Sequence, residues 1–350
     1  MDPLQLTRQL IDIPSVTGNE KEVALFLKDV LQGQGAQVYL PEAEPDRPNV
    51  WAHWGKPDIV LSTHLDTVPP FFPSQEDGGY IYGRGACDAK GIIAAQVEAA
   101  AQLLAQGAGD FGLLFLVGEE RNSAGAVAAN KNPPGSKYLI NGEPTENRLA
   151  VGTKGALRLE IEAQGRMAHS AYPELGESAI EKLVEALYLL RGLELPEDEV
   201  LGKTTYNIGT IQGGVAPNVI PDAARAEVMF RLVKPAEELL QQIQVAVGHL
   251  VTVRKVLEIP PVKLGTMEGL ETTVVSFATD IPSLDAWGQP FLIGPGSIHA
   301  AHTQNERISK AELLRAVEIY VSMVKKLKEN PGPEPVTAPE RSNRKQTKEK

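Results

Sequence analysis

The sequence predicts an α/β protein: an open mixed sheet with helices on both faces, interrupted by a smaller inserted α+β domain. Three observations carry this. Short apolar runs alternate with helical periodicity as far as Asn141. Near Gly152 the pattern changes to β-α-β-β-α-β, the split βαβ arrangement. From Met267 the first pattern resumes and closes with a helix. The expected boundaries are 1–152 and 261–328 for the larger domain and 153–260 for the insert, with 329–350 as a disordered tail rich in proline, lysine and glutamate. A chain of 350 residues is long for one core and comfortable for two.

Leu6, Leu10 and Ile13 recur at helical spacing until Pro14 stops them, and Asn19 is placed to cap a second helix running to Leu31. Strands are expected over 37–40, 49–54 and 58–63. The run Ile59-Val60-Leu61 is apolar on successive residues, as in a strand covered on both faces. A helix over 90–105, a buried strand over 112–117, a short helix over 124–130 and a strand over 137–141 follow. In the insert, strands are expected over 156–163, 204–211, 223–232 and 252–258, with helices over 178–190 and 236–250. The last helix covers 310–327.

Composition removes several classes of function. A formal charge of −11 argues against a nucleic-acid binder, which normally carries a basic face. One cysteine, Cys87, builds neither a disulfide framework nor a multi-cysteine zinc site, so a cytoplasmic protein is expected. The N-terminus has no basic region followed by an apolar run, and no stretch of eighteen apolar residues occurs; neither a signal peptide nor a membrane span is expected.

The residues that carry chemistry cluster where strands end. His64 closes the strand IVLSTHLD, and Asp66, two residues on, can face the same way and orient the imidazole. GRGACDAKG has Gly83-x-Gly85 but Asp88 where a third glycine would complete a dinucleotide fingerprint, so that reading fails. The glycines allow a sharp turn that leaves Asp88 at a helix N-terminus, as a cap or as a ligand. Glu119 and Glu120 follow the strand GLLFLVG, where adjacent carboxylates are costly without a positive partner. One can bind metal while its neighbour acts as general base. Glu143 in LINGEPT is a third strand-end case, and His302 with nearby His299 lies in a glycine-containing loop before the last helix. Neither G-x-S-x-G nor H-E-x-x-H is present, which disfavours a serine elbow and a zincin helix. Mixed histidine and carboxylate donors suit zinc, and also cobalt or manganese.

Taken in order, STHLDTVP, GRGACDAKG, GEE, GEPT, GRMAHSAYP, NVIPD and AHTQNE span most of the chain. The set resembles the dinuclear zinc metallopeptidase and deacylase family that includes acetylornithine deacetylase, succinyl-diaminopimelate desuccinylase, aminoacylase and glutamate carboxypeptidase. The resemblance implies two zinc ions per subunit. It implies His64 and Glu143 as ligands of one, Asp88 as the bridging carboxylate, and Glu120 and His302 as ligands of the other. Glu119 matches the general base and Asp66 the partner of His64. The insert matches the family's lid and dimerisation domain: His169 reaches the partner subunit's site and steadies the oxyanion, while Asn218 and Arg231 contact substrate. The chain departs from the family pattern at Ala89, where methionine is common, and His53 and His249 match nothing.

The expected activity is hydrolysis of the amide bond of an N-acyl amino acid by a homodimer, with no nucleic-acid or membrane partner. The alternative is a dipeptidase or carboxypeptidase with the same site. A non-catalytic binding protein on this fold would be marked by loss of a ligand or of the base, and neither is lost.

Overall fold

The computed structural model describes residues 2–329. The expected tail lies outside them, except that Glu329 ends the last helix. Helices α1 (Pro3–Asp12) and α2 (Lys21–Gly33) come first. Asp2 caps α1 through its carboxylate. The cap position of α2 falls on Glu20 and not on Asn19. The Glu20 side chain is taken by Arg47 and by the N–H of Gly18.

Strands β1 (Gln37–Tyr39), β2 (Val50–Trp54) and β3 (Ile59–His64) follow, then α3 (Gly91–Ala105), β4 (Phe111–Leu116), α4 (Ala124–Ala129), β5 (Tyr138–Asn141) and β6 (Leu149–Thr153). The second sheet uses β7 (Gly155–Gln164), α5 (Ala179–Arg191), β8 (Thr205–Gly213), β9 (Ala223–Leu232), α6 (Ala236–Val247) and β10 (Thr252–Ile259). The chain then returns through β11 (Val262–Lys263), β12 (Thr272–Val275), β13 (Gln289–Leu292) and α7 (Lys310–Glu329).

The large sheet runs β1-β2-β4-β3-β5-β13-β6-β11, with β12 pairing β6 in parallel. Its centre, β4-β3-β5-β13, is parallel, and its flanks are antiparallel. Period-2 alternation separates two apolar faces. Ile59, Leu61, Leu113 and Phe115 pack with α1, α2, α3 and α7, whereas Val60, Leu114 and Leu116 pack with Ala126, Leu284 and Trp287 on the other side. Strand β13, which sequence periodicity did not reveal, inserts between β5 and β6 and draws the segment before His302 into the sheet.

The separate sheet, order β8-β9-β7-β10, is wholly antiparallel. Leu157, Leu159 and Ile161 of β7 and Val228 and Phe230 of β9 share one apolar cluster with α5 and α6. Both connections to the large sheet lie together. A Cβ on Gly155 would stand 2.3 Å from the carbonyl oxygen of Ile259 and 2.7 Å from the nitrogen of Pro261, so only glycine fits that crossing. No helix among the described residues is long and apolar enough to cross a membrane.

Candidate metal centre

His64 is the last residue of β3, whose six positions are all buried. The chain turns there, and the imidazole Nδ1 lies 2.9 Å from the carbonyl oxygen of Asp66. A carbonyl only accepts, so Nδ1 carries a proton and Nε2 is left facing the site. The Asp66 carboxylate is farther from Nδ1, at 3.6 Å. It is engaged by the N–H groups of Gly118, Glu119 and Glu120 at 3.0, 3.1 and 3.3 Å and by the Thr17 hydroxyl at 2.8 Å. The sequence reading paired that carboxylate with His64 alone. Its larger task here is to hold the loop after β4, where Gly118 adopts a φ of 82°.

Asp88 does not cap α3. Gly83 and Gly85, at φ 143° and 86°, lead into a wide turn over Ala86–Lys90, and α3 begins only at Gly91. Within that turn Asp88 has non-helical angles, φ −135° and ψ 84°. Its Oδ1 lies 2.9 Å from Nε2 of His64, and its Oδ2 lies 3.3 Å from Nε2 of His302. His302 holds a left-handed φ of 62°, unusual outside glycine, and its Nε2 also lies 2.9 Å from Oε1 of Glu120.

Two groups of donors result. His64, Asp88 and Glu143 offer one atom each within 4.8 Å of one another, and Asp88, Glu120 and His302 do the same. The first group is buried throughout, and the second opens to solvent at His302. Glu143 comes just after β5. A Cβ on Gly142 would stand 2.4 Å from Ile92, and one on Gly294 would stand 2.5 Å from the Glu143 carbonyl, so two glycines let neighbouring chain close over this position.

The electrostatics are those of crowded carboxylates. Burial, then repulsion from Glu143, hold the Glu119 carboxyl well above the usual range. Burial raises Glu143 as well, against the pull of His64. On His64 burial works against the charge, yet hydrogen bonds to Asp66 and Asp88 carry its pKa well above the ordinary histidine value. Asp88 and Glu120 push His302 up to about 10. Asp88 itself is held low: burial opposes its charge but His302 and His64 outweigh it.

The residues present fit a pair of cations. Nε2 of His64 and Oδ1 of Asp88 lie 2.9 Å apart, a contact that a proton on the imidazole satisfies and that a cation bound by both atoms would satisfy with the imidazole neutral. Oε1 of Glu143 is buried with no hydrogen-bond partner, in keeping with a ligand atom.

The expected lid residues belong to neither donor group. His169 is exposed on a two-residue strand that pairs antiparallel with distant Val219–Ile220, and its Nδ1 accepts the N–H of Ala171 at 3.1 Å. Asn218 is also exposed and its carbonyl receives the N–H of Ser170. No hydrogen bond or ion pair among the described residues joins either one to the donor groups. Arg231, on β9, lines a cavity of about 390 Å³ with Pro144, Arg148, Phe277 and His299, directly beside Glu143.

Two buried acids escaped the sequence reading. Asp280 is 1% exposed, and neither carboxylate oxygen accepts a hydrogen bond in good geometry. Burial pushes it up to about 7, with Ser123 and His64 opposing. Glu306 contacts the Asp88 turn, and burial followed by the Asp88 charge pushes it up to about 7 in spite of Arg84. No local pattern marks Asp280. Glu306 lies in AHTQNE, the segment that also supplies His302.

A family model for peptidases of families M20, M25 and M40 matches residues 60–326. This chain belongs to that peptidase family. A peptidase M20 domain-containing protein of Schizosaccharomyces pombe is 40% identical over 334 residues, covering 92% of this chain and 84% of that one. A probable carboxypeptidase of Emericella nidulans is 38% identical over 374 residues, with 92% and 88% covered. Among solved structures, a tripeptidase from Staphylococcus aureus superposes with a TM-score of 0.80 at 24% identity, covering 94% of this chain and 98% of its own. A peptidase of Bacillus subtilis described as binding a dinuclear metal centre superposes with a TM-score of 0.68 at 18% identity, with 92% and 98% covered. These structures share the fold: a mixed α/β sheet with helices and a separate antiparallel domain. The M20-family hydrolase seen here is of the kind the sequence motifs implied.

Proposed function

We propose that this member of the family is a two-metal peptidase that removes a residue from the free carboxyl end of small peptides. The observation that carries the reading is the Asp88 carboxylate, whose two oxygens face Nε2 of His64 and Nε2 of His302. A single carboxylate shared in this way suits a bridging ligand. His64 and Glu143 complete one metal site, and Glu120 and His302 the other. The donor set suits zinc, with cobalt or manganese able to replace it. The ions supply polarisation of the scissile carbonyl and a lowered pKa for the attacking water.

Glu119 takes the proton from that water and returns it to the leaving amine, a role that suits a carboxylate beside the donor groups yet in neither of them. Asp66 holds Glu119 in place through the backbone. Arg231 receives the substrate carboxylate as a planar fork, and its cavity beside Glu143 is in reach of a bound peptide. His169, exposed and unconnected to its own subunit's donor groups, serves the site of a second copy, donating to the developing oxyanion, with Asn218 beside it on the substrate. The segment 153–260 is then a lid, and the active form a homodimer.

The sequence reading preferred an N-acyl amino acid. The peptide alternative has more behind it, because curated relatives at 36–38% identity carry the name probable carboxypeptidase. A substrate panel tests the choice: di- and tripeptides with free and amidated carboxyl ends against acetylated and succinylated amino acids, with zinc or cobalt restored. Free peptides should be cleaved fastest, and Glu119→Gln should lower kcat by at least about 10³-fold while metal content stays constant. Faster turnover of the acylated amino acids would overturn the peptidase reading.

A further inference from the structure

Arg84 and Glu306 lie against the candidate ligands without belonging to them. Glu306 is fully buried. Its Oε2 receives Nη1 of Arg84 at 2.5 Å, and its Oε1 receives the backbone N–H of Asp88 at 3.3 Å, with the Cys87 thiol 3.8 Å away. Both oxygens are therefore committed, and neither is free to bind a metal. The Glu306 carbonyl accepts the N–H of Gly83 at 3.1 Å, which fastens the other end of the same turn. Arg84 is anchored in its own right: Nε donates to the Pro70 carbonyl at 3.1 Å, and the guanidinium lies 4.9 Å over the Phe72 ring.

A buried ion pair is poor evidence of stability, because desolvation offsets its attraction. What this pair does achieve is geometric. Glu306 ends the loop that carries His302, and its carboxylate grips the residue that His302 must face. Gly296 closes the same join from the other side, since a Cβ there would stand 2.6 Å from the Cβ of Cys87.

We infer that Glu306, held by Arg84, is a positioning residue that sets Asp88 in register with His302, so that the Asp88–Glu120–His302 group presents its donors to one ion. This rests on the two-metal reading. Glutamine at 306 would keep the shape but fail the chemistry. Arg84 and the Asp88 N–H are both donors, and an amide offers a single acceptor oxygen, so one contact must break. Asp88 also serves the His64–Glu143 side, but there its Oδ1 stays paired with His64 and Glu143 is untouched, so that side should weaken less.

The test is a zinc titration of metal-stripped full-length protein, alongside far-UV circular dichroism and a thermal melt of the stripped forms. Wild type should take two equivalents. Glu306→Gln should bind one equivalent about 10–100-fold more weakly and the other with a clearly smaller loss. Wild-type affinity for both equivalents, or equal weakening of both with a lowered melt of the stripped protein, would overturn the inference and leave Glu306 a structural residue. Fewer than two equivalents in wild type would instead remove the two-metal reading, and this inference with it. Should Glu306→Gln fail to fold, Arg84→Lys, which keeps the charge and loses the fork, is judged by the same criteria.

Discussion

The carboxylate of Asp66 accepts the backbone N–H of Glu119 at 3.1 Å, although the two residues are 53 positions apart. The same side chain takes the neighbouring N–H groups of Gly118 and Glu120, so one acid sets the path of the whole loop that carries the proposed base and a proposed ligand. Asp66→Ala would strand buried donors, each worth about 1–3 kcal/mol when left unpaired. Urea unfolding should show a loss of roughly 3 kcal/mol. Steady-state kinetics should show kcat reduced at least about 100-fold, since both carboxylates shift. A variant with normal kcat and lowered stability would confine Asp66 to the scaffold.

Metal removal should destabilise the protein in a concentration-dependent way. Binding to the folded state alone stabilises by about 4 kcal/mol at a thousandfold excess over Kd. Calorimetry with and without a chelator should therefore give a melting temperature that climbs with added zinc. A melting temperature indifferent to zinc and chelator would count against the proposed centre.

Asp280 predicts a pH dependence whose sign is definite. Its folded pKa of about 7 lies above the ordinary aspartate value of 3.8. Between those values the folded state binds more protons than the unfolded one, so this residue's favourable contribution is complete below pH 3.8 and is lost as pH rises through 7. Asp280→Asn removes the ionisation. Above pH 7 the stripped variant should exceed wild type by on the order of 2–4 kcal/mol, and the difference should shrink toward pH 4. Denaturant melts across that range measure it, and a difference that does not change with pH would refute the account.

Arg231 should act on binding more than on chemistry. Arg231→Met should raise KM for a free-carboxylate peptide by about 10–100-fold, the effect of one lost charge-assisted fork, with a smaller fall in kcat. Amidated peptides, lacking the carboxylate, should be affected far less. Equal losses on both peptide types would remove the carboxylate from the role of Arg231.

Much of this centre was legible because strand ends in an open α/β sheet are where polar side chains become tolerable. His64, Glu120 and Glu143 each follow an apolar run that could only be a buried strand. Asp88 was found, but its local setting was misjudged. The turn delays α3 to Gly91, and glycine spacing alone does not reveal how wide a turn will be. Asp66 was assigned to the nearest histidine, since sequence shows adjacency and not the loop N–H groups folding back from residues 118–120. Asp280 was invisible for a related reason. Nothing around it in the sequence sets it apart; in the fold the Thr279 hydroxyl accepts the N–H of Ile281 and the carboxylate is buried. Strand β13, with its proline and glutamine, carries no alternation and is defined only by its neighbours. The small sheet was easier, since β7 and β9 have the alternation that one buried face imposes.

The join between Glu120 and His302 spans 182 positions, and that between Asp88 and Glu306 spans 218. During synthesis the first of each pair is made long before the second, so no partial chain lacking residues 302–306 can close the pocket. Contacts of such separation are slow to form, because the intervening chain must be ordered before they offset its entropy. Capture of an ion by the Asp88–Glu120–His302 group would thus wait until residues 302–306 have been made and folded against the Asp88 turn.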